Sequence, residues 1–202
     1  MKIRIIGEGS FGGFLKEILA THFKICDDAE SIILAVPISA YEELGKKFKD
    51  KHLINVCSVQ LPSTNILLKY TDKVSSIHPL FGKRTPDNKR NSILTKTFAI
   101  SDDLWFYDER EAIFLEQFKK VSNIITHNSS GVKFTPESHD ILMAKTHLAA
   151  VISAQQAKVF IERAKDIPDE YIPNSFRLLR EFVKTLEDMP EGTMESILAN
   201  PY

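Results

Sequence analysis

Little in this 202-residue chain marks it for a membrane, the cell surface or nucleic acid. Only two cysteines occur, Cys26 and Cys57, and no CxxC pair. That leaves out a disulfide scaffold and a cysteine-rich metal site. Two buried thiols in a reducing, cytoplasmic compartment are expected, and no metal. Apolar runs stay well short of the roughly 18 residues that a membrane span needs. Met1-Lys2-Ile3-Arg4 leads straight into a strand-like run, without the cleavage site of a signal peptide. Excess charge is missing too: 26 Lys and Arg stand against 27 Asp and Glu, a formal charge of −1. Nucleic-acid binding by bulk electrostatics is therefore not expected. Internal repeats and low-complexity segments are absent, and the Asn128-Ser129-Ser130 acceptor match is a chance one in a cytoplasmic chain. What remains is 43% hydrophobic and 26% charged, folded-protein material sufficient for one generous domain or two small ones.

Hydrophobic periodicity divides the chain in two. Ile3–Ile6, Phe23–Cys26, Ser31–Val36, Leu53–Cys57, Val74–Ile77, Phe98–Ile100 and Asn123–Thr126 read as short buried strands. Helical spacing appears between some of them, at Phe11, Phe14, Leu15, Ile18 and Leu19, at Tyr41, Leu44 and Phe48, and at Phe114, Phe118 and Val121. Strands alternating with helices predict an α/β unit with a mostly parallel sheet of Rossmann type over residues 1–130. Residues 131–202 read as a small all-helical domain: Ser138–Lys165 without Gly or Pro, a connector at Asp166–Asn174, then Phe176–Asp188 and Thr193–Ala199. A helical piece this short has little core of its own, so it is expected to pack on the first domain or to pair with a second copy as a homodimer. Lys83–Asn91 reads as a polar loop.

Gly7-Glu8-Gly9-Ser10-Phe11-Gly12 lies after the first strand and opens the first helix, where a dinucleotide-binding turn belongs. Gly7 allows the tight turn, Gly9 close approach of a pyrophosphate, and Gly12 close helix–strand packing. Ser10 and Phe11 then stand at the helix N-terminus. An acid about 20 residues on holds the ribose hydroxyls in such folds. Asp27 or Asp28 occupies that place and favours NAD over NADP, while Asp28 as a turn cap is the structural alternative. Val36 and Pro37, which close the Ser31–Val36 strand, are assigned to the cofactor crevice. A tight turn in a domain that binds nothing is the competing reading of the glycines.

Four further stretches carry a resemblance: Ile33-Leu34-Ala35-Val36-Pro37-Ile38, Asn55-Val56-Cys57-Ser58-Val59, Ile77-His78-Pro79-Leu80-Phe81-Gly82, and Glu137-Ser138-His139-Asp140. With the glycine loop, they resemble the prephenate/arogenate dehydrogenases of tyrosine biosynthesis over nearly the whole chain. The ending, Asn174-Ser175-Phe176-Arg177-Leu178-Leu179 through Asn200-Pro201-Tyr202, is similar to the branch often fused to chorismate mutase, here as a short form without mutase or regulatory domain. The resemblance implies an NAD-dependent oxidative decarboxylation of prephenate to 4-hydroxyphenylpyruvate, or the arogenate counterpart. It assigns His78 as partner of the substrate hydroxyl, a role suited to imidazole near neutral pH. Ser58 would orient His78 or bridge substrate and nicotinamide, and His139 would sit near the nicotinamide end. His147 follows on part of the same face. Arg177 is expected to clamp a substrate carboxylate, with Arg180 as understudy. Lys83 and Arg84 stand next to the His78 stretch and meet either an anion or water.

Two other readings compete. A β-hydroxyacid or imine dehydrogenase would carry a catalytic lysine on the long helix, where Lys145 is the one available residue. A shrunken nucleotide-binding or interaction module would need none of these side chains.

Overall fold

The structure, a computed structural model, describes residues 1–95, 109–187 and 189–202. In chain order its strands are β1 (Lys2–Ile6), β2 (Lys24–Ile25), β3 (Ser31–Leu34), β4 (His52–Asn55), β5 (Val74–Pro79), β6 (Asn91–Thr95) and β7 (Asn123–Ile125). They form one seven-stranded sheet, ordered β2-β1-β3-β4-β5-β6-β7. The first five run parallel. β6 is antiparallel to β5, and β7 is parallel to β6. Every residue of β3, β4 and β5 is buried, as strands covered on both faces must be. The α/β fold with a mostly parallel sheet is the expected one.

Alternation along the strands splits the core. Ile3, Ile5, Ile33 and Ile77 pack under α1 (Ser10–Leu19) and α4 (Glu109–Phe118), against Leu15 and Phe114. Ile32, Leu34 and Leu53 face the other way, toward Tyr41 of α2 (Tyr41–Lys47) and Leu67 of α3 (Leu61–Leu68). β6 and α3 are elements the periodicity did not predict, and Asn91, expected in a loop, begins β6. Phe98–Ile100, the remaining strand expectation, and Asp188, expected at a helix end, lie outside the described residues.

Between β2 and β3 the crossover helix is missing, and register explains how. Parallel strands normally need a dozen or more residues of crossover, because the chain must run back along the strand. Here Ile3 of β1 pairs with Ile25 on one side and with Ser31 on the other. The chain therefore moves sideways without running back. Lys2 and Arg4, on one face of β1 by strand alternation, pin this crossing: Lys2 Nζ is 2.6 Å from Asp28 and Arg4 Nε is 3.4 Å from Asp27.

From Pro136 onward the described chain is helical or connecting. α5 (Pro136–Met143) begins with a capping box between Thr135 and Ser138. It continues through a π-helical turn (Ala144–Leu148) into α6 (Ala149–Arg163). α7 (Asn174–Glu187) folds back along α6, placing Leu179 and Val183 against Ala154, Ala157 and Ile161. α8 (Glu191–Leu198) returns to the sheet. Its Ile197 packs on Leu148 and Val151, and Gly192 lies so close to Pro37 that a Cβ there would come within 2.5 Å of the proline ring.

Two adjacent glycines of α1 test this packing. A Cβ on Gly12 would lie 2.2 Å from the carbonyl oxygen of Gly7, whereas one on Gly13 would meet nothing within 4 Å. Gly12→Ala is expected to destabilise the fold by about 3 kcal/mol, and Gly13→Ala to stabilise it by about 0.5–1 kcal/mol through helix propensity. Denaturant unfolding of the two variants checks the opposite signs.

Candidate active site

The glycine loop takes the expected form. Gly7 adopts φ +132°, and a Cβ on it would come within 2.1 Å of the Ala35 carbonyl oxygen at the end of β3. Only glycine satisfies both conditions. Gly9 is the N-cap of α1, and the space above it is open: a Cβ there meets nothing within 4 Å. Exposed Ser10 starts the helix, and Phe11 packs on Phe81 with ring centroids 6.5 Å apart. Val36 is half-buried and Pro37 exposed along the same edge of the sheet. A concave turn, backbone N–H groups at a helix start and an open approach fit a pyrophosphate.

Farther along this edge, β5, α5 and the π turn bring three imidazoles together. His78, next to last in β5, is 3% exposed, and His139 is fully buried. His78 Nδ1 lies 2.9 Å from His139 Nε2, and His139 Nδ1 lies 2.7 Å from Asp140 Oδ1. The ring of His147 stacks on His78 at 6.3 Å with 14° between planes. His139 and His147 are eight residues apart, which on an α-helix leaves them about 80° out of phase. The intervening π turn, with its wider repeat, takes up much of that offset, so both reach His78.

Asp140 anchors the group. Its two oxygens accept the backbone N–H groups of Gln60 (2.8 Å) and Leu61 (2.7 Å), which start α3. Helix α3 has no side-chain cap of its own. The carboxylate thus caps a helix that precedes it by about 80 residues and stabilises the positive end of the α3 dipole. The carboxylate thereby serves α3 and His139 rather than its own helix. Asn55 holds the loop between β4 and α3. Its Oδ1 accepts from Tyr41 Oη and Cys57 N, and its Nδ2 donates among Ser63, Thr64 and Ser76. Ser58 rides on that loop, half-buried.

These contacts fix the protons. An ionised Asp140 only accepts, so His139 Nδ1 carries hydrogen, and in the neutral ring its Nε2 is then bare. His78 Nδ1 must then donate, which leaves His78 Nε2 with its lone pair. That nitrogen forms no hydrogen bond with any described residue. The contrast is His52, whose two ring nitrogens are bonded to Ser31 and Ser75 (3.1 and 2.7 Å), a structural role. Burial, then the neighbouring His139 and His147, holds the His78 pKa well below its ordinary 6.5. Burial and His139 lower that of His147.

Other sequence candidates lie elsewhere. Asp27 follows β2 and carries Arg4 on its carboxylate, and Asp28, in the same turn, is paired with Lys2. Cys57 is buried, whereas Cys26, expected to be buried, is only partly so. Arg177 is exposed; its Nη2 and Nε donate to the carbonyl oxygens of Asp169 (2.8 Å) and Ile172 (3.3 Å). Arg180 bonds Asp169 at 3.2 Å and lies over Phe176. Both stand at the end of the α6–α7 pair remote from His147, roughly 20 Å along the helices at 1.5 Å per residue. Within one chain they do not converge with His78. Lys145 is exposed.

The depressed histidine pKa values have a consequence for stability. Unfolded chain binds protons at these sites below 6.5, the ordinary value, more readily than folded chain, so stability is present above that pH and is lost as pH falls. The melting temperature is expected to drop between about pH 7.5 and about pH 5.5, and to drop less in His78→Asn. Calorimetric scans across that range check it.

No model of a known protein family matches the chain, and no curated protein matches it. Solved structures do. One described as a candidate prephenate dehydrogenase from Corynebacterium glutamicum superposes with a TM-score of 0.71 at 13% identity, covering 97% of this chain and 73% of that one. Prephenate dehydrogenase from Aquifex aeolicus, solved with hydroxyphenyl propionate and NAD+, gives 0.63 at 16% identity, with 99% and 82% covered. Synechocystis arogenate dehydrogenase gives 0.55 at 18% identity, with 96% and 82% covered. At such identities the likeness is one of fold, and the fold this chain shares is that of the Rossmann-type dehydrogenases.

Proposed function

We propose that the chain is an NAD-dependent dehydrogenase that decarboxylates prephenate oxidatively to 4-hydroxyphenylpyruvate, with arogenate as the alternative substrate. The observation that carries this reading is the buried Asp140–His139–His78 chain, which presents a bare imidazole nitrogen at the carboxyl edge of a parallel sheet, where ligands of such folds bind. The motif resemblance and the shared fold support the substrate class.

The chain's residues divide the work. Backbone N–H groups at Gly9 and the start of α1 hold a pyrophosphate, and Asp27 accepts from the ribose hydroxyls. A bound nicotinamide supplies the hydride acceptor. His78 Nε2 accepts the proton of the substrate hydroxyl as its carbon loses hydride, and loss of the ring carboxylate as CO2 leaves an aromatic ring. The proton on His78 Nδ1 can shift to His139 Nε2, which puts positive charge next to Asp140 instead of on a desolvated imidazole. Ser58 orients the hydroxyl or the carboxamide from the neighbouring loop.

A carboxylate substrate also needs a cation, and in one chain Arg177 is remote. A second copy supplies it. α7 sorts its apolar residues to one side yet buries only Val183. Ile152, Val159, Phe160 and Leu178 are 42–57% exposed on α6 and α7, more apolar surface than a monomeric helix pair leaves to water. Antiparallel pairing of these helices about a two-fold axis sets the Arg177 end of one copy beside the His147 end of the other.

Purified protein with NAD and prephenate is expected to yield NADH absorbance and 4-hydroxyphenylpyruvate; no turnover with prephenate or arogenate, under either nicotinamide cofactor, removes the proposal. His78→Asn is expected to cut turnover by about 100-fold or more, the scale of a lost general base. Arg177→Ala is expected chiefly to raise KM. Mixing the His78→Asn and Arg177→Ala proteins is expected to restore about a quarter of wild-type turnover at low substrate, through the one intact site of each mixed dimer. A mixture no better than its components places Arg177 outside the site.

A further inference from the structure

The crossing between β2 and β3 brings a cation to the one place in this fold where two nicotinamide cofactors differ. An acid at the end of the second strand accepts from the ribose 2′-hydroxyl of NAD, and an arginine there meets the 2′-phosphate of NADP. This chain holds both. Asp27 follows β2, and its carboxylate is 93% exposed; Arg4, on the neighbouring β1, sets its Nε 3.4 Å away with only 33% of its side chain exposed. The Arg4 guanidinium is carried on the Phe48 ring, 5.5 Å from its centroid, and Lys47 Nζ lies 5.4 Å from the same ring. Arg4 is therefore held in place by stacking, and its tie to Asp27 is an exposed ion pair of little strength. The short crossing produces this pairing, since it lays residues 26–30 over the Lys2 and Arg4 side chains instead of leading into a helix.

We infer that Arg4 is a latent binding residue for a 2′-phosphate, and that Asp27 selects NAD over NADP in two ways, by accepting from the ribose and by occupying Arg4; the inference rests on the dinucleotide reading above. With Asp27 ionised, a 2′-phosphate meets a like charge at the spot where its counter-charge is already engaged. With Asp27 neutral, the same spot presents a preoriented guanidinium, and Lys47 adds a second positive charge nearby. Arg4 is a specificity residue by this account and takes no part in the chemistry at His78.

Calorimetric titration of the full chain with NADH and with NADPH, in the absence of substrate, tests it. Wild type is expected to bind NADH more tightly than NADPH. Asp27→Asn is expected to tighten NADPH binding by about tenfold or more, the scale of one charge-assisted hydrogen bond. Arg4→Gln added to Asp27→Asn is expected to abolish that gain, while NADH binding by the double variant reports that the site is still folded. An Asp27→Asn protein that binds NADH but gains nothing for NADPH overturns the inference and leaves the dinucleotide reading standing. A gain that survives Arg4→Gln overturns it as well. Failure of wild type to bind either nucleotide removes both.

Discussion

The carboxylate of Asp140 is the constraint on which the site depends. It is fully buried, and burying an ionised carboxylate is costly unless every oxygen is engaged. Two backbone N–H groups at the start of α3 and one imidazole N–H engage it. Those same bonds tie α5 to the sheet side of the molecule and set the orientation of His139. They also decide which nitrogen of His78 keeps its lone pair. Stability and proton disposition are here one arrangement: the acid that caps α3 also determines the tautomer of a ring two hydrogen bonds away. The residues that follow α8 reinforce this joint, because Asn200 Nδ2 donates to the Asp140 carbonyl and Tyr202 Oη to Glu137.

A low-pKa imidazole is a weak base taken alone, so the chain of three groups matters for function. Desolvation keeps His78 neutral near physiological pH and thus ready to accept. In the proposed reaction, His139 and Asp140 give the accepted charge somewhere to go. The π turn serves the same end: it rotates His147 over His78 without breaking the long helix. The glycine loop, at the end of β1 on the same edge of the sheet, is shaped by close backbone contacts at Gly7 and Gly12 and by open space at Gly9. The glycine loop after β1 and His78 on β5 thereby share the carboxyl edge of one sheet, with β3 and β4 between them, and in the proposed reaction that edge aligns the two reactants.

Much of this was legible in the residues, and what was not has physical reasons. Apolar runs such as Ser31–Leu34 announce central strands because both faces are covered. Helix α3 escaped because its buried positions include Ser63 and Thr64, which are bonded to the polar Asn55 rather than to a hydrophobic stripe. β6 escaped because Asn91–Thr95 is five residues long and mixed in polarity. His78 and His139 could be named from their motifs, but their contact spans 61 residues, and no local pattern states a tautomer. The reach of Asp140 to α3 was hidden for the same reason. Arg177 was placed by motif alone, and a motif carries no information about which copy of a chain a side chain serves. The missing crossover helix was visible as a short spacing, whereas its cause, the shared register at Ile3, is a property of the sheet.

Two ring protons, on His78 and His139, decide the chemistry of the site, and nitrogen-detected NMR of the protein with 15N-labelled histidine reads them. At about pH 7, His78 is expected to be neutral, with hydrogen on Nδ1 of both His78 and His139 and with His78 Nε2 unprotonated. A His78 ring protonated on Nε2, or charged at that pH, would contradict this expectation.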